Sequence, residues 1–240
     1  MPNPTAAMLV IGDEILSGRT RESNMHYLAG ELTRIGVDLK EVRVVSDDQD
    51  AIVAALNALR GAFDTVFTSG GIGPTHDDIT ADSVAAAFGV GIDVRADARA
   101  VLQAHYDRAG TELNAARLRM ARIPDGAALI DNPVSAAPGF SIGNVHVMAG
   151  VPSIFQAMVA SVLPQVVGGA PVQSRTLRVQ RGEGDVAAPL ARLAEAYPDL
   201  SVGSYPFQTD GAYGTHVVVR GTDAARVEAA MARLATDLGL

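Results

Sequence analysis

The 240-residue sequence predicts an α/β protein, a parallel sheet covered by helices, followed by a smaller α+β layer. Three observations lead there. Short aliphatic runs alternate with helical periodicity from Ala6 to about Gly168. A Gly-Gly-Ala-Pro break within residues 167–171 interrupts that periodicity and marks a linker. The remainder reads strand, helix, strand, strand, helix. Two domains are therefore expected, residues 1–170 and 171–240.

The first domain begins with an apolar strand over residues 6–11. Met25, Leu28, Leu32 and Ile35 then give one helical stripe, closed by Gly36 at the position after the helix where glycine is favoured. Residues 39–45 form a second strand, and Ser46, Asp47 and Asp48 supply caps for a helix carrying Ile52, Leu56 and Leu59, which Gly61 is expected to stop. Residues 64–68 form a third strand that enters a glycine-rich loop, and the helix beyond carries Val84 and Phe88. Two helices are expected between Ala96 and Arg122, the first with Ala98, Val101, Leu102 and His105 at helical spacing. Shorter strands at 127–130, 139–141 and 145–148 precede a helix with Pro152 in its first turn. In the second domain a strand at 175–180 is followed by a helix carrying Val186, Leu190, Leu193 and Tyr197. Strands around Val202 and over 216–219 then lead to a helix with Val227, Met231, Leu234 and Leu238.

Nineteen basic against 27 acidic residues leave a net charge of −8, which argues against a nucleic-acid partner. Arg117, Arg119 and Arg122 read as the solvated face of a helix. With no cysteine there is neither a disulfide framework nor a thiolate metal site. The N-terminal segment from Met1 to Ile11 has no basic leader and its apolar run is too short for a membrane span, so a cytoplasmic protein without membrane contact is expected.

In a parallel sheet, ligands collect beyond the carboxyl ends of the strands, where helix N-termini point their amides. Two loops qualify: Gly12-Asp13-Glu14-Ile15-Leu16-Ser17-Gly18 after the first strand, and Ser69-Gly70-Gly71-Ile72-Gly73-Pro74-Thr75-His76-Asp77-Asp78 after the third. Gly70, Gly71 and Gly73 remove three side chains from a short loop, so backbone amides can approach an anion such as phosphate. The spacing is neither that of the dinucleotide fingerprint nor that of the P-loop. Asp77 and Asp78 either cap the next helix or hold a divalent cation between themselves and a phosphate. Asp13 and Glu14 are either solvated or ligand-facing. Ser17 and Gly18 can offer a hydroxyl and an amide.

Taken together, residues 12–18, Asn24, residues 68–80 and Gly150-Val151-Pro152 resemble the MoaB/Mog molybdopterin-binding domain, in its CinA-type branch. The loop at 71–78 and Gly203-Ser204-Tyr205-Pro206 are also similar to the molybdopterin-binding-like module of eukaryotic FAD synthetases. The resemblance implies a three-layer αβα sandwich with a ligand site across the two loops. It implies an essential acid at Asp78 with Thr80 matching the family pattern, and metal-dependent hydrolysis of ADP-ribose-like or FAD-like pyrophosphates. On that reading Asp78 and Asp77 are the catalytic acids. Asp13, Ser17, Gly18, Asn24, Ser69, Gly70, Gly71, Gly73, Thr75 and Thr80 bind the ligand, which is ADP-ribose, FAD or a molybdopterin. Asp78 and Asp13 hold Mg²⁺, Mn²⁺ or Co²⁺, and a homo-oligomer is expected. The alternative is a non-catalytic molybdopterin or nucleotide-binding module. Two departures bear on it: Ile154 stands where the family pattern has Glu, and Val134-Ser135-Ala136-Ala137-Pro138-Gly139 replaces a Gly-Thr-Ala-Pro-Gly segment. Nothing in these residues resembles a nicotinamide-nucleotide amidase or a nucleotidyltransferase, so neither activity is expected.

Overall fold

The computed structural model describes residues 2–209 and 211–240; Met1, where the N-terminal reading began, lies outside them. The chain divides into two compact units, Met1–Gly169 and Ala170–Leu240.

The first unit carries a six-stranded sheet. Its strands are β1 (Thr5–Ile11), β2 (Asp38–Val45), β3 (Thr65–Ser69), β6 (Ala128–Ile130), β7 (Gly139–Ile142) and β8 (Val145–Met148), in the order β2-β1-β3-β8-β7-β6. The first four in that order are parallel, and β7 and β6 are added antiparallel. A small antiparallel pair, β4 (Ile92–Val94) with β5 (Arg122–Pro124), escaped the sequence reading because each strand has only three residues.

Alternation along β1 explains the three layers. Ala7, Leu9 and Ile11 point to one face, where they pack with Ile52, Leu56 and Leu59 of α3 (Gln49–Ala62) and Val84 of α4 (Thr80–Phe88). Ala6, Met8 and Val10 point to the other, against Leu28 and Leu32 of α2 (Asn24–Arg34) and Phe155, Met158 and Val159 of α7 (Pro152–Val162). A strand buried on both faces reads as an uninterrupted apolar run, which is why β1 is plain in the sequence. His146 on β8 is pressed against the Phe67 ring, with centroids 5.2 Å apart, and its Nδ1 lies 2.8 Å from Ser141 Oγ. Partial burial lowers its pKa from 6.5 to about 4, because the cation is short of water there.

Some expectations needed correcting. Gly61 does not stop α3, which continues to Ala62. The carbonyls at that helix end, Arg60 O and Phe63 O, each accept a bond of 3.0 Å from Asn144 Nδ2, a partner distant in sequence. In α5 (Ala96–Arg108) only Ala98 and Leu102 are buried, and Val101 is exposed. The second helix expected before Arg122 is a single turn, α6 (Ala115–Leu118), running into a 3-10 turn at Arg119–Ala121.

In the second unit, β9 (Gln173–Val179), β10 (Ser201–Thr209) and β11 (Ala212–Gly221) form an antiparallel sheet in the order β10-β11-β9. Helices α8 (Glu183–Ala196) and α9 (Ala224–Leu238) cover one face, burying Val186, Leu193, Val227 and Leu234 against Val179, Val217 and Val219.

Candidate functional site

The carboxyl ends of β1, β3 and β8 converge, and the loops that leave them build a cleft of about 340 Å³. That lies at the small end of the range for ligand sites, roughly 300–1,000 Å³. Its walls include Glu14, Gly70, Gly71, Gly73, Asp78, Asn132 and Ile154. Glu14 comes from the single-turn helix α1 (Asp13–Leu16) after β1.

The glycine loop is shaped as much by the protein behind it as by the space in front. Gly70 has φ +107°, and a Cβ there would overlap the carbonyl oxygen of Ile11. Gly71 has φ +68°, and a Cβ there would overlap Thr80 Oγ1. Thr80 is fully buried; its hydroxyl donates to Gly70 O at 3.0 Å and its amide to Gly71 O at 3.0 Å, so this residue fastens the loop to the start of α4. The Gly70 amide is committed to Met148 O at 3.1 Å, so it does not face a ligand as the sequence suggested. The amides of Gly71, Ile72 and Gly73, by contrast, have no hydrogen-bond partner among the described residues. Unpaired amides grouped in a loop form an anion-receiving concavity.

Asp78 closes the loop. Its Oδ2 accepts from Thr75 N at 2.8 Å and from Thr75 Oγ1 at 2.6 Å. Neither Asp77 nor Asp78 caps α4, whose N-cap position is Ile79 with no side-chain bond. The Thr75 hydroxyl also holds the exposed Asp77 carboxyl below the ordinary carboxylate range. Asp48 caps α3 as expected, accepting from Ala51 N at 2.9 Å. Asp47 does something else: its Oδ2 accepts from Asp13 N at 2.9 Å and so caps α1. Burial raises the Asp47 pKa, the bond from the Asp13 amide lowers it, and the negative charges of Asp13, Glu14 and Asp77 raise it further. Negative charge therefore gathers around Asp47, and Glu14 carries part of it to the cleft wall.

The residues singled out in the sequence fall into three groups. Gly70, Gly71, Gly73 and Asp78 line the cleft. Asn24 and Ser69 line an adjoining crevice of about 50 Å³, which also shares Glu14 and Gly150 with the cleft. There Asn24, 4% exposed, donates through Nδ2 to Ser69 Oγ and to Gly150 O, both at 2.8 Å, while its Oδ1 is buried without a partner. Asp13, Ser17, Gly18, Thr75, Asp77 and Thr80 are outside the cleft lining. Ser17 and Gly18 form an exposed turn, with Ser17 N bonded to Asp13 O at 2.8 Å.

Three residues at the site were not assigned to it from the sequence pattern. Glu14, adjacent to Asp13, is the acid of that loop that borders the cleft, and its carboxylate folds back to within 2.6 Å of where a Gly12 Cβ would stand. Asn132 organises the segment after β6: its Oδ1 accepts from Val134 N and Ser135 N, and its Nδ2 donates to Ser135 Oγ and Ala137 O. The Asn-Pro dipeptide was the signal for this turn. Arg119 lies next to the glycine loop in a small crevice of about 20 Å³, half-buried rather than on a solvated face. Its sequence neighbours are engaged elsewhere: the Arg117 guanidinium lies 4.7 Å over the Tyr106 ring, and Arg122 makes a two-pronged pair with Asp82 at 2.6 and 3.0 Å.

For a divalent ion the donor set is sparse. Among the described residues no three His, Asp or Glu side chains are grouped as a metal cage. Glu14 and Asp78 are the carboxylates that border the cleft, so an ion there would complete its shell from ligand phosphate and water, a common arrangement for Mg²⁺. Among the described residues no helix is long and apolar enough to cross a membrane.

Comparison with known proteins agrees with this geometry. The model described as "Probable molybdopterin binding domain" matches residues 7–167, and that described as "FAD synthase, middle domain" matches residues 171–239. A probable FAD synthase of Caenorhabditis elegans is 30% identical over 257 residues, covering 96% of this chain and 49% of that protein. A CinA-like protein of Citrifermentans bemidjiense is 34% identical over 206 residues, covering 83% of this chain and 48% of its own length. The chain thus spans about half of each of these two relatives. The crystal structure of a CinA protein of unknown function from Thermoplasma acidophilum superposes with a TM-score of 0.62 at 34% identity, covering 68% of this chain and 97% of that one.

Proposed function

This chain belongs to the molybdopterin-binding domain family in its CinA-like branch, and from that premise we propose that it is a metal-dependent pyrophosphohydrolase of ADP-ribose-like or dinucleotide substrates. The observation that carries this reading is the run of unpartnered amides at Gly71, Ile72 and Gly73 beside the pinned carboxylate of Asp78. The amides receive a phosphate oxygen. Thr75 fixes Asp78 through Oδ2, which leaves Oδ1, with no hydrogen bond among the described residues, to orient a water or hold an ion. Asp78 with Glu14, rather than with Asp13 outside the cleft lining, is where a divalent ion would sit, and when bound it would supply charge neutralisation and a more acidic attacking water. In the reaction the water oxygen bonds to one phosphorus and gives up a proton to solvent, the bridging oxygen leaves with the other phosphorus, and two monophosphates result.

The test is direct. Purified protein with Mg²⁺, Mn²⁺ or Co²⁺ should split ADP-ribose or FAD into monophosphates, and Asp78→Ala should abolish turnover. No turnover on a panel of dinucleotides with any of these metals removes the enzyme reading.

A second reading has its own support. Ile154 and Val151 make one wall of the cleft apolar where the family pattern has an acid, which suits a module that binds a pterin or nucleotide without cleaving it. That version predicts thermal stabilisation by ligand without product; a ligand at 100 times its Kd adds about 2.7 kcal/mol.

A further inference from the structure

We propose that Arg119 is the fixed cation that clamps the anionic group of the ligand at the glycine loop, giving the cleft its preference for phosphate-bearing over neutral molecules. This rests on the phosphate-binding reading above and assigns a specificity residue to that same site.

Five observations carry it. Arg119 Nε is buried with no hydrogen-bond partner, so no protein acceptor compensates that edge of the fork. Its bond from Nη2 to Asp78 O is long, at 3.4 Å. No carboxylate pairs with it among the described residues, whereas Arg122 beside it is held by Asp82. Its crevice has room for about one water, too little for a ligand of its own. That crevice shares Gly71, Ile72, Gly73, Asp78 and Met120 with the large cleft, so the loop that bears the free amides borders both spaces.

Charge gives the reason for the arrangement. The cleft is bordered by the acids Glu14 and Asp78, and an anion seated between them needs a positive charge in the wall that holds it. Arginine suits the task because its planar fork can present two N–H groups to one phosphate, and because it stays charged at any working pH. The 3-10 turn at Arg119–Ala121, leading into β5, fixes where the fork begins.

The test is titration calorimetry in Mg²⁺-containing buffer with inorganic pyrophosphate, ADP and adenosine. The wild-type chain is compared with Arg119→Gln, Arg119→Lys and the neighbouring control Arg117→Gln. The expected result for Arg119→Gln is pyrophosphate and ADP binding weakened about tenfold to a hundredfold, as for loss of a charged hydrogen-bonding partner, with adenosine unaffected. Arg119→Lys should fall between, and Arg117→Gln should match wild type. Should the glutamine variant melt early by circular dichroism, the lysine variant decides, and pyrophosphate affinity equal to wild type overturns the clamp. Wild type binding ADP with Arg119→Gln undiminished overturns this inference while the cleft reading stands. Equal loss of ADP and adenosine makes Arg119 a structural residue and also overturns it. If wild type binds neither pyrophosphate nor ADP, the phosphate-site reading falls and this inference with it.

Discussion

Replacing Gly71 with alanine separates two effects that the loop combines. The first is conformational: at φ +68° an L-residue costs roughly 1–2 kcal/mol relative to glycine. The second is a collision, since the new Cβ would overlap Thr80 Oγ1 and lie 3.2 Å from Thr80 Cβ. Thr80 is fully buried and cannot swing into solvent, so its 3.0 Å bond to Gly70 O must lengthen or break. An acceptor left unpaired in the interior costs about 1–3 kcal/mol. The two effects together give a loss of ~2–5 kcal/mol. Gly18 provides the control, because its φ is +74° and nothing lies within 4 Å of a Cβ built there. Gly18→Ala should therefore show only the conformational cost, ~1–2 kcal/mol. Urea unfolding followed by far-ultraviolet circular dichroism is the assay, since the chain has no tryptophan. Both glycines report on the transition of the first unit, and its midpoint should fall with the slope unchanged. Equal midpoints for the two variants would refute the collision with Thr80.

Two further predictions concern buried polar groups in the same unit. His146, with a folded pKa of about 4 against 6.5 unfolded, is neutral in the fold, so its contribution is complete above pH ~6.5 and is lost as pH falls from there toward 4. The shift amounts to ~3 kcal/mol, and His146→Phe should flatten the pH dependence of the melting temperature across that window; an unchanged slope refutes the assignment. Asn24→Asp removes two donors and sets a carboxylate against Gly150 O, so the variant should lose ~1–3 kcal/mol near neutral pH and recover part of it in acid, as the protonated acid donates again. A melting temperature equal to wild type at neutral pH would show that the amide does not tie α2 to β3 and the Gly150 loop.

What could be read from the residues alone follows from local rules. Buried parallel strands such as β1 are continuous apolar runs, Asp48 stands at a capping position, and Gly36 adopts φ +70° just after α2. The glycine loop was legible because three glycines directly after a strand mark backbone that takes positive φ or approaches a neighbour closely. Asp78 was singled out by the family resemblance, and it lies in the cleft wall. What escaped depends on partners far away in the chain. Only the packed structure decides that Gly61 stays helical while Asn144 satisfies the carbonyls at the end of α3. Only the structure shows that the Gly70 amide is taken by Met148, or that Asp47 caps the turn bearing Asp13.

The sequence by itself thus determined that helices cover a parallel sheet, the order of the longer strands and helices and the loop that bears the free amides, since these follow from periodicity and backbone sterics within a few residues, while the three-layer arrangement came with the family resemblance. Only the tertiary structure decided which acid of the Asp13–Glu14 pair borders the cleft and that Arg119 comes to stand beside the glycine loop. The direction of a side chain on a single-turn helix, and the meeting of segments some 45 residues apart, are set by packing that no local pattern encodes.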